Sequence, residues 1–371
     1  MPRFQPFDLE HYQSRYEHTV EANLADSSVK CLDVGSWLAP EEKEALLASG
    51  LFYPQVNGLQ RLRERIAALY PDTSSEEVLV TVGAAQANLL VVSTLLEPGD
   101  EIVAFTPGYR QVPGLAANLG CRVREVAMDP DRDWMPDWEA FEAQVTEDVR
   151  LVAVVNPNNP TGRIFRPDEM ERIVAACRRV GAWLHADEVY QGTELDGSES
   201  TSFRGMYDRV VVTNSLSKAY GLAGLRIGWA VASPEMTQEL WRRHEFQVIA
   251  AAGPSMVMAD LALAPEKRAM LLERQRRLSR EGHALLTHWL EEHPELFSVA
   301  RREATAIAFV RYHLDAPSLE VAERIRTEAN LLVAPGAFLG AEGHLRLTVG
   351  YEEARIRPAL QRIASVVRGM A

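Results

Sequence analysis

The chain of 371 residues is 47% hydrophobic and 25% charged, the composition of a globular protein long enough for two domains. Its formal net charge of −13 argues against a nucleic-acid-binding surface, because phosphate contacts need clustered lysine and arginine. The three cysteines form neither a CxxC pair nor a disulfide framework, so we expect no metal site and a reducing, cytoplasmic compartment.

The first residues, MPRFQPFDLEHYQSRYEH, lack the apolar core of a signal peptide. No run along the chain approaches the roughly 18 apolar residues of a membrane-spanning helix. We therefore expect neither secretion nor a membrane partner.

Short apolar runs alternate with amphipathic segments through residues 75–233. Strands are predicted at residues 76–83, 101–107, 121–128, 149–157, 182–188, 209–215 and 226–233. Helices are predicted at residues 84–96, 109–120 and 167–181, the last with Pro167 in its first turn and Gly181 past its end. Strands without polar alternation, separated by helices, indicate a mostly parallel sheet that is covered on both faces. We therefore predict a three-layer α/β/α large domain over residues 46–270.

The pattern changes after about residue 254. The predicted elements are a long amphipathic helix at 266–294, a strand at 306–313, a helix at 318–330, strands at 331–336 and 344–350, and a helix at 354–370. This order predicts a smaller α+β domain, built from residues 1–45 and 271–371, in which the N-terminal arm packs with the C-terminal part.

The segment TNSLSKAYGLAGLRIGWA, residues 213–230, contains one of only four lysines in the chain. Lys218 directly follows a predicted strand and is flanked by small residues rather than by a charged helix face. Active groups gather at the carboxyl ends of strands in α/β sheets, and a lysine of lowered pKa forms a Schiff base with a carbonyl compound. Most lysines, however, are solvated surface residues, and the residues alone leave both interpretations open.

Candidate anion-binding groups lie in two segments. Arg226 follows Lys218 in GLRIGW, and a guanidinium binds phosphate or carboxylate through two parallel hydrogen bonds. Ser215 and Ser217 could add donors, although single serines are more often turn residues. In VTVGAAQANLL a glycine joins a strand to a helix, so the helix amides at Ala84 and Ala85 would face a phosphate. Such junctions are common in α/β proteins and are a weak signal alone.

Two further strands end in polar residues. VVNPNNPTG holds Asn159 in a turn fixed by prolines, where it could donate to a ligand oxygen or be a plain connector. HADEVYQG places Asp187 and Glu188 at the end of an apolar strand, with Tyr190 close by. A carboxylate there is costly unless it is paired, so it is either bound to a protonated ring nitrogen or part of an N-cap or salt bridge.

Together these segments resemble the fold-type I, class I and II aminotransferases, which depend on pyridoxal 5′-phosphate (PLP). The resemblance runs from about residue 50 to residue 350. SLSKAYGLAGLRIGW is similar to the family signature Ser-x-Ser-Lys followed by Gly-Leu-x-Gly-x-Arg-x-Gly, and NPNNPTG and DEVY match its two other signatures in the expected order. The resemblance implies a PLP enzyme whose partners are an amino acid and a 2-oxo acid.

It also implies a role for each candidate residue. Lys218 would form the Schiff base with PLP and move the proton at the substrate Cα, and Asp187 would keep the pyridine nitrogen protonated. The remaining cofactor contacts implied are Arg226, Ser215, Ser217 and the amides of Ala84 and Ala85 at the phosphate, Asn159 and Tyr190 at the ring oxygen, and Tyr109 stacked on the ring.

Substrate binding and assembly follow from the same resemblance. Arg346, in HLRLTVG, matches the arginine that clamps the substrate α-carboxylate, although a lone arginine in a strand is usually a surface residue. Tyr53 matches the tyrosine that reaches the neighbouring subunit's phosphate site. We therefore expect a homodimer with shared active sites.

The chain departs from the family in two substrate-facing regions. Near Gly35 the sequence is LDVGSWLAP, where common members of the family have Gly-x-Gly-Glu-Pro. The segment ARREATAIAF lacks the usual glycine pair around residue 305. Family-typical side-chain specificity is therefore not expected. The N-terminal segment FDLEHYQSRYEHTVEANLADSSVKCL is similar to the start of capreomycidine synthase, a PLP enzyme that performs elimination and cyclisation on a modified arginine.

The sequence leaves three functional hypotheses. The leading hypothesis is a PLP-dependent aminotransferase, a transferase of amino acid metabolism. The second keeps the cofactor but ends in elimination or cyclisation of a modified amino acid. The third, a non-catalytic PLP-sensing module of a transcription regulator, is disfavoured because no helix-turn-helix pattern precedes residue 50 and the catalytic set is intact.

Overall fold

The computed structural model describes residues 4–371. The α-helices are α1 (Asp8–Tyr16), α2 (Val34–Trp37), α3 (Pro40–Leu47), α4 (Gln60–Ala67), α5 (Gly83–Leu95), α6 (Gln111–Leu119), α7 (Trp138–Gln144), α8 (Pro167–Val180), α9 (Pro234–Gln247), α10 (Gly253–Ala262), α11 (Pro265–Glu292), α12 (Ser318–Ala329) and α13 (Glu353–Arg368). The strands are β1 (Ala22–Asn23), β2 (Val78–Thr81), β3 (Glu101–Thr106), β4 (Arg122–Asp129), β5 (Met135–Pro136), β6 (Val149–Val155), β7 (Trp183–Asp187), β8 (Val210–Ser215), β9 (Gly228–Val231), β10 (Phe297–Val299), β11 (Ile307–Tyr312), β12 (Leu331–Leu332), β13 (Ala334–Pro335) and β14 (His344–Thr348).

The large sheet has the strand order β2-β9-β8-β7-β6-β3-β4-β5. The neighbours from β8 through β4 are parallel, and the pairings at the two edges are antiparallel. Both faces are covered, because alternate residues of β6 belong to different cores. Leu151 and Ala153 pack with α5 and α6, whereas Val152 and Val154 pack with α8. The predicted three-layer, mostly parallel α/β architecture is confirmed.

Helix α8 illustrates how local sequence sets the element bounds. Pro167 occupies the first turn, and the Glu169 carboxylate accepts from the backbone N–H of Arg166 at 2.8 Å. Gly181 ends the helix with φ of +73°, a left-handed conformation that glycine adopts without a steric penalty. Ile173 and Val174 are completely buried against the sheet, so the apolar face of the helix forms part of the core.

The small sheet has the order β10-β11-β14-β13 and is antiparallel. Its core includes side chains of α11, α12 and α13. The N-terminal segment joins this region because β1 pairs in parallel with β12, with Ala22 opposite Leu331. The division of the chain into the two predicted domains stays a prediction.

The prediction of one strand over residues 331–336 is wrong. The segment forms two short strands with different partners. β12 pairs with β1, whereas β13 pairs with β14, with Ala334 opposite Arg346. The physical reason is that β12 pairs with β1, near the start of the chain, whereas β13 pairs with the nearby β14, and the apolar run alone does not reveal this change of partner at Val333.

Among the helices of residues 4–371, none combines the length and the hydrophobicity that crossing a bilayer would need. The carboxyl ends of the parallel strands β6, β7 and β8 and the first turn of α5 meet at one edge of the large sheet. In an open α/β sheet this edge is where ligands bind.

Candidate active site

A cleft of about 860 Å³ opens at this edge of the large sheet. The predicted residues that line it are Ala84, Ala85, Tyr109, Asn159, Asp187, Tyr190, Ser215, Ser217, Lys218 and Arg226. They come from five separate segments of the chain, and the strand ends and the α5 first turn bring them together. The fold therefore gathers the cofactor-binding candidates at one site, with the exception of Tyr53.

One end of the cleft is an anion cradle made by α5 and Arg226. The Arg226 guanidinium lies against Gly83, so close that a Cβ added there would be 2.4 Å from Nη2. Its hydrogen bonds within residues 4–371 go to the Ala223 carbonyl at 3.1 Å and the Ser217 hydroxyl at 3.5 Å, which leave its charge uncompensated. Gly228 is needed as well, because a Cβ there would be 2.4 Å from the Ala84 nitrogen. Helix amides and a guanidinium in this arrangement suit a phosphate.

Lys218 projects into the same cleft. Its Nζ donates a hydrogen bond to the Ser27 hydroxyl at 2.8 Å. A second contact ties the two segments together, because the Ser28 hydroxyl donates to the Ser217 carbonyl at 3.2 Å. The N-terminal segment therefore forms the wall next to the lysine, a contribution that sequence reasoning missed because Ser27 stands in no recognisable motif.

Asp187 is buried at the end of β7 and is held by neutral donors. Asn88 Nδ2 donates to its Oδ2 at 2.9 Å, and the Val189 N–H donates to its Oδ1 at 3.2 Å. Burial raises the pKa of Asp187 to about 6, although these hydrogen bonds and Lys218 oppose the shift. A cation beside this carboxylate, such as a protonated pyridine nitrogen, would offset the cost of burying its charge.

Asn88 is itself oriented by two buried groups. Its Oδ1 accepts from the Thr213 hydroxyl at 2.8 Å and lies 3.1 Å from His185 Nε2. Burial lowers the pKa of His185 to about 3, so the imidazole is neutral. Because the Asn88 oxygen can only accept, this contact requires the proton on Nε2. The oxygen of Asn88 is thus occupied, and its amino group points to Asp187. Asn88 was not among the predicted residues, and its only sequence signal is a polar residue in an otherwise apolar helix.

Arg346 and Asn159 connect the small sheet to the cleft. Arg346 is completely buried; Nη1 donates to Asn159 Oδ1 at 3.1 Å and Nη2 donates to the Ala25 carbonyl at 2.6 Å. Within the described residues its Nε has no partner. Because this contact occupies the side-chain oxygen of Asn159, the amide nitrogen is the group that can donate to a ligand in the cleft. Tyr190 completes this side, with its hydroxyl donating to the Ser27 carbonyl at 3.4 Å.

Helix α1 covers part of the cleft, which the sequence did not predict. Phe7 packs edge-on against Tyr109, with ring centroids 5.2 Å apart. The Tyr109 hydroxyl donates to Glu10 at 2.9 Å, and burial raises the pKa of this tyrosine well above its ordinary value. Glu10 and Gln13 line the cleft from the helix.

Three predicted residues do not line the cleft of this chain: Arg346, which reaches it only through Asn159, Gly35 and Tyr53. Gly35 is exposed on α2, and a Cβ added there would meet no atom within 4 Å. Tyr53 is 81% exposed in the segment after α3. Their roles in substrate and cofactor binding stay predictions.

The residues of the cleft fit PLP. The amine of Lys218 suits an aldehyde, with which it can form a Schiff base. The cradle of Arg226 and the α5 amides suits a phosphate ester, and the buried carboxylate of Asp187 suits a pyridinium. Across residues 4–371 no three His, Cys, Asp or Glu side chains lie close enough together to hold a metal ion.

The chain matches the family "Aminotransferase class I and II" over residues 23–363. It is 28% identical to arginine–pyruvate transaminase AruH of Pseudomonas aeruginosa over 366 residues, 95% of this chain and 92% of that enzyme. It is also 28% identical to capreomycidine synthase of Streptomyces vinaceus, over 82% of this chain and 77% of the synthase. Among solved structures, a PLP-dependent aminotransferase from Streptococcus suis superposes with a TM-score of 0.93 at 28% identity, covering 100% of this chain and 99% of that one.

We expect the apoprotein to lose stability through Asp187 as the pH rises from about 4 to about 6. The folded-state pKa of about 6 lies above the ordinary value of 3.8, so in this window the unfolded chain releases the proton and the folded chain keeps it. The full effect is roughly 3 kcal/mol, because one pKa unit corresponds to about 1.4 kcal/mol. Urea unfolding of the apoprotein and of Asp187→Asn across this range measures it.

The stability difference between the variant and the wild type should shift in favour of the variant up to about pH 6 and then stay constant. Burial, which Asp187→Asn leaves in place, is the largest cause that raises the pKa of Glu188 to about 8, so most of its contribution cancels; the charge of Asp187 raises this pKa by a smaller amount. A difference that does not change with pH would contradict the assignment of the buried charge to Asp187.

Proposed function

The chain belongs to the class I and II aminotransferases, enzymes that depend on PLP, and from that premise we propose that it transfers the amino group of an α-amino acid to a 2-oxo acid. The observation that carries the proposal is the cleft itself. Lys218, Asp187 and Arg226 line one cavity, where an amine, a buried carboxylate and an uncompensated guanidinium face the same space.

When bound, PLP supplies a reactive aldehyde and a pyridine ring that withdraws electrons from the substrate Cα. The chain supplies the other parts. Arg226, the hydroxyls of Ser215 and Ser217 and the α5 amides hold the phosphate, and Asp187 holds the proton on the ring nitrogen. With Asn88 fixing the carboxylate, that proton has one defined position.

Lys218 is the base of the site. Its Nζ is held by the Ser27 hydroxyl at 2.8 Å, and it removes the proton from the substrate Cα once the amino acid has displaced it. Asn159 and Tyr190 orient the ring oxygen. Arg346 binds the substrate α-carboxylate, which supplies an acceptor for the buried Nε.

A second candidate function keeps the same first step. The 28% identity with capreomycidine synthase supports an elimination or cyclisation on a modified amino acid. The two functions part after Lys218 has taken the Cα proton. In transamination Lys218 would give this proton back, and in elimination a leaving group would depart from the substrate side chain. A cytoplasmic location stays a prediction from the cysteine content.

A homodimer with shared sites is part of the proposal. Leu51, Tyr53 and Phe246 are 92%, 81% and 95% exposed, although large apolar side chains of this kind are normally buried. The two segments that carry them lie close together, because the side chain of His244, two residues before Phe246, is next to the backbone of Val56, three residues after Tyr53. An exposed apolar surface of this kind fits a second copy of the chain, and it would bring Tyr53 to the partner's phosphate cradle.

Lys218→Ala should abolish transamination while the protein remains folded. The amine that attaches the cofactor and moves the Cα proton is then missing, and no other lysine lines the cleft. The measurement is ketoacid formation from a panel of amino acids and 2-oxo acids, together with borohydride reduction of the holoenzyme and peptide mapping.

The label should be on Lys218. Lys30→Ala is the matched control, because Lys30 is half-exposed and pairs with Glu352, and this variant should keep full activity. Label on Lys30, Lys43 or Lys267 would refute the assignment. Ammonia release without ketoacid transfer would favour elimination over transamination.

Arg346→Lys should raise KM for the amino acid roughly tenfold or more while PLP affinity stays unchanged, because a lysine cannot make the two parallel hydrogen bonds to a carboxylate. Steady-state kinetics and a PLP titration measure both quantities. The control is Arg311→Lys, on the adjacent strand β11, whose half-exposed guanidinium pairs with Asp131 at 3.2 Å. An unchanged KM would mean that another residue binds the carboxylate.

Tyr53→Phe should weaken PLP binding by about tenfold to a hundredfold, the effect of losing one hydrogen bond to a charged group. This outcome requires a partner, because Tyr53 does not line its own cleft. Tyr207→Phe is the control, since that hydroxyl donates to the Ala182 carbonyl, outside the cleft. An active monomer in sedimentation, or unchanged PLP affinity, would rule out the shared site.

A further inference from the structure

The N-terminal segment brings carboxylates into the cleft that the proposed function does not use. Glu10, Glu17 and Asp26 line the cavity together with the cofactor-binding residues. Asp187, the other carboxylate of the cleft, is assigned to the ring nitrogen. Three acidic side chains thus face the space next to the substrate position.

Two of these carboxylates are held by neutral groups. The Tyr109 hydroxyl donates to Glu10 at 2.9 Å, and the Tyr351 hydroxyl lies 3.3 Å from Asp26 Oδ2. Within residues 4–371 neither has a lysine, arginine or histidine at salt-bridge distance, whereas Glu17 lies 3.4 Å from His18. The tyrosine hydroxyls fix the positions of the carboxylate oxygens, but they carry no positive charge that would pair with the carboxylates.

The position of Asp26 relative to the substrate follows from its two neighbours. The Ala25 carbonyl accepts from Arg346 at 2.6 Å, and the Ser27 hydroxyl accepts from Lys218 at 2.8 Å. Asp26 therefore lies between Ala25, which contacts the arginine proposed to bind the substrate carboxylate, and Ser27, which contacts the lysine proposed to act on Cα.

Arg346, which contacts the cleft through Asn159, adds a second observation on this side. Its side chain is completely buried, and its Nε has no partner within the described residues. Nη1 reaches Asn159, which lines the cavity. An amino acid whose carboxylate is bound there and whose Cα is next to Lys218 has its side chain left to meet Glu10 and Asp26.

We propose that the substrate is an α-amino acid with a cationic side chain, a guanidinium or an ammonium, and that Glu10 and Asp26 bind this charge. The inference rests on the proposed function for the placement of the α-amino and α-carboxylate groups. Neither carboxylate needs a partner from the chain when the substrate supplies one. Side chains of glutamate or aspartate are repelled by the same pair.

The test compares L-arginine with L-citrulline, which has the same length and a planar end group but no charge. Calorimetric titration of the PLP-loaded Lys218→Ala variant measures binding without turnover. Arginine should bind roughly tenfold or more tightly than citrulline, the effect of hydrogen bonds to a charged group, and glutamate should bind most weakly. L-lysine against L-norleucine repeats the comparison for an ammonium.

Glu10→Gln and Asp26→Asn, each added to the Lys218→Ala background and then combined, should reduce the preference for arginine to about threefold or less while citrulline binding changes little. Asp8→Asn is the matched control. It removes one negative charge from the same helix α1, but Asp8 is exposed and does not line the cleft, so the preference should persist.

Equal binding of arginine and citrulline in the Lys218→Ala protein would overturn the inference, as would a preference that survives in the combined variant. If the combined variant does not fold, the two single variants and the ligand comparison in the parent still decide. Turnover by wild-type holoenzyme tests the proposed function separately, because charge selectivity in binding without ketoacid formation would reject transamination and keep the cationic ligand.

Discussion

The buried carboxylate of Asp187 is the constraint on which the rest of the site depends. An isolated charge at this depth would be strongly unfavourable, and the protein surrounds it with the amide of Asn88 and the N–H of Val189 rather than with a cation from the chain. Asn88 is oriented in turn by Thr213 and His185, so residues of α5, β7 and β8 are fixed relative to one another. In the proposed function, the cofactor provides the positive partner.

The phosphate cradle shows a second use of close packing. Gly83 and Gly228 allow Arg226 and the first turn of α5 to approach within distances that any side chain would prevent. The cradle and the Asp187 network share helix α5, which carries Ala84 at one end and Asn88 one turn later. One helix therefore sets the distance between the groups proposed to bind the phosphate and those proposed to bind the ring.

Much of the fold was predictable from local patterns. Apolar runs such as residues 149–157 and 182–188 correspond to fully or mostly buried strands. For α8, Pro167 and Gly181 in the sequence predict where the helix starts and ends. The family signatures also identified Lys218, Asp187 and Arg226, which the structure brings into one cleft. Asn88, Ser27 and Glu10 could not be found in this way, because each acts through a partner 99 or more residues away and stands in no motif. The break within residues 331–336 was missed because β12 pairs with the distant β1, whereas β13 pairs with the nearby β14.

The pairing of the N-terminal segment with the C-terminal region has a consequence for how the protein forms on the ribosome. Glu21 meets Asn330 across 309 residues of chain, and β1 has no partner until β12 has been synthesised. Contacts of such long sequence separation form late, because a long loop must first be closed. A nascent chain that has emerged to about residue 260 already carries the strands and the lysine loop proposed to hold the cofactor. The wall formed by Asp26 and Ser27 can be completed only when synthesis has nearly ended, so the proposed substrate-binding wall forms after the proposed cofactor-binding strands.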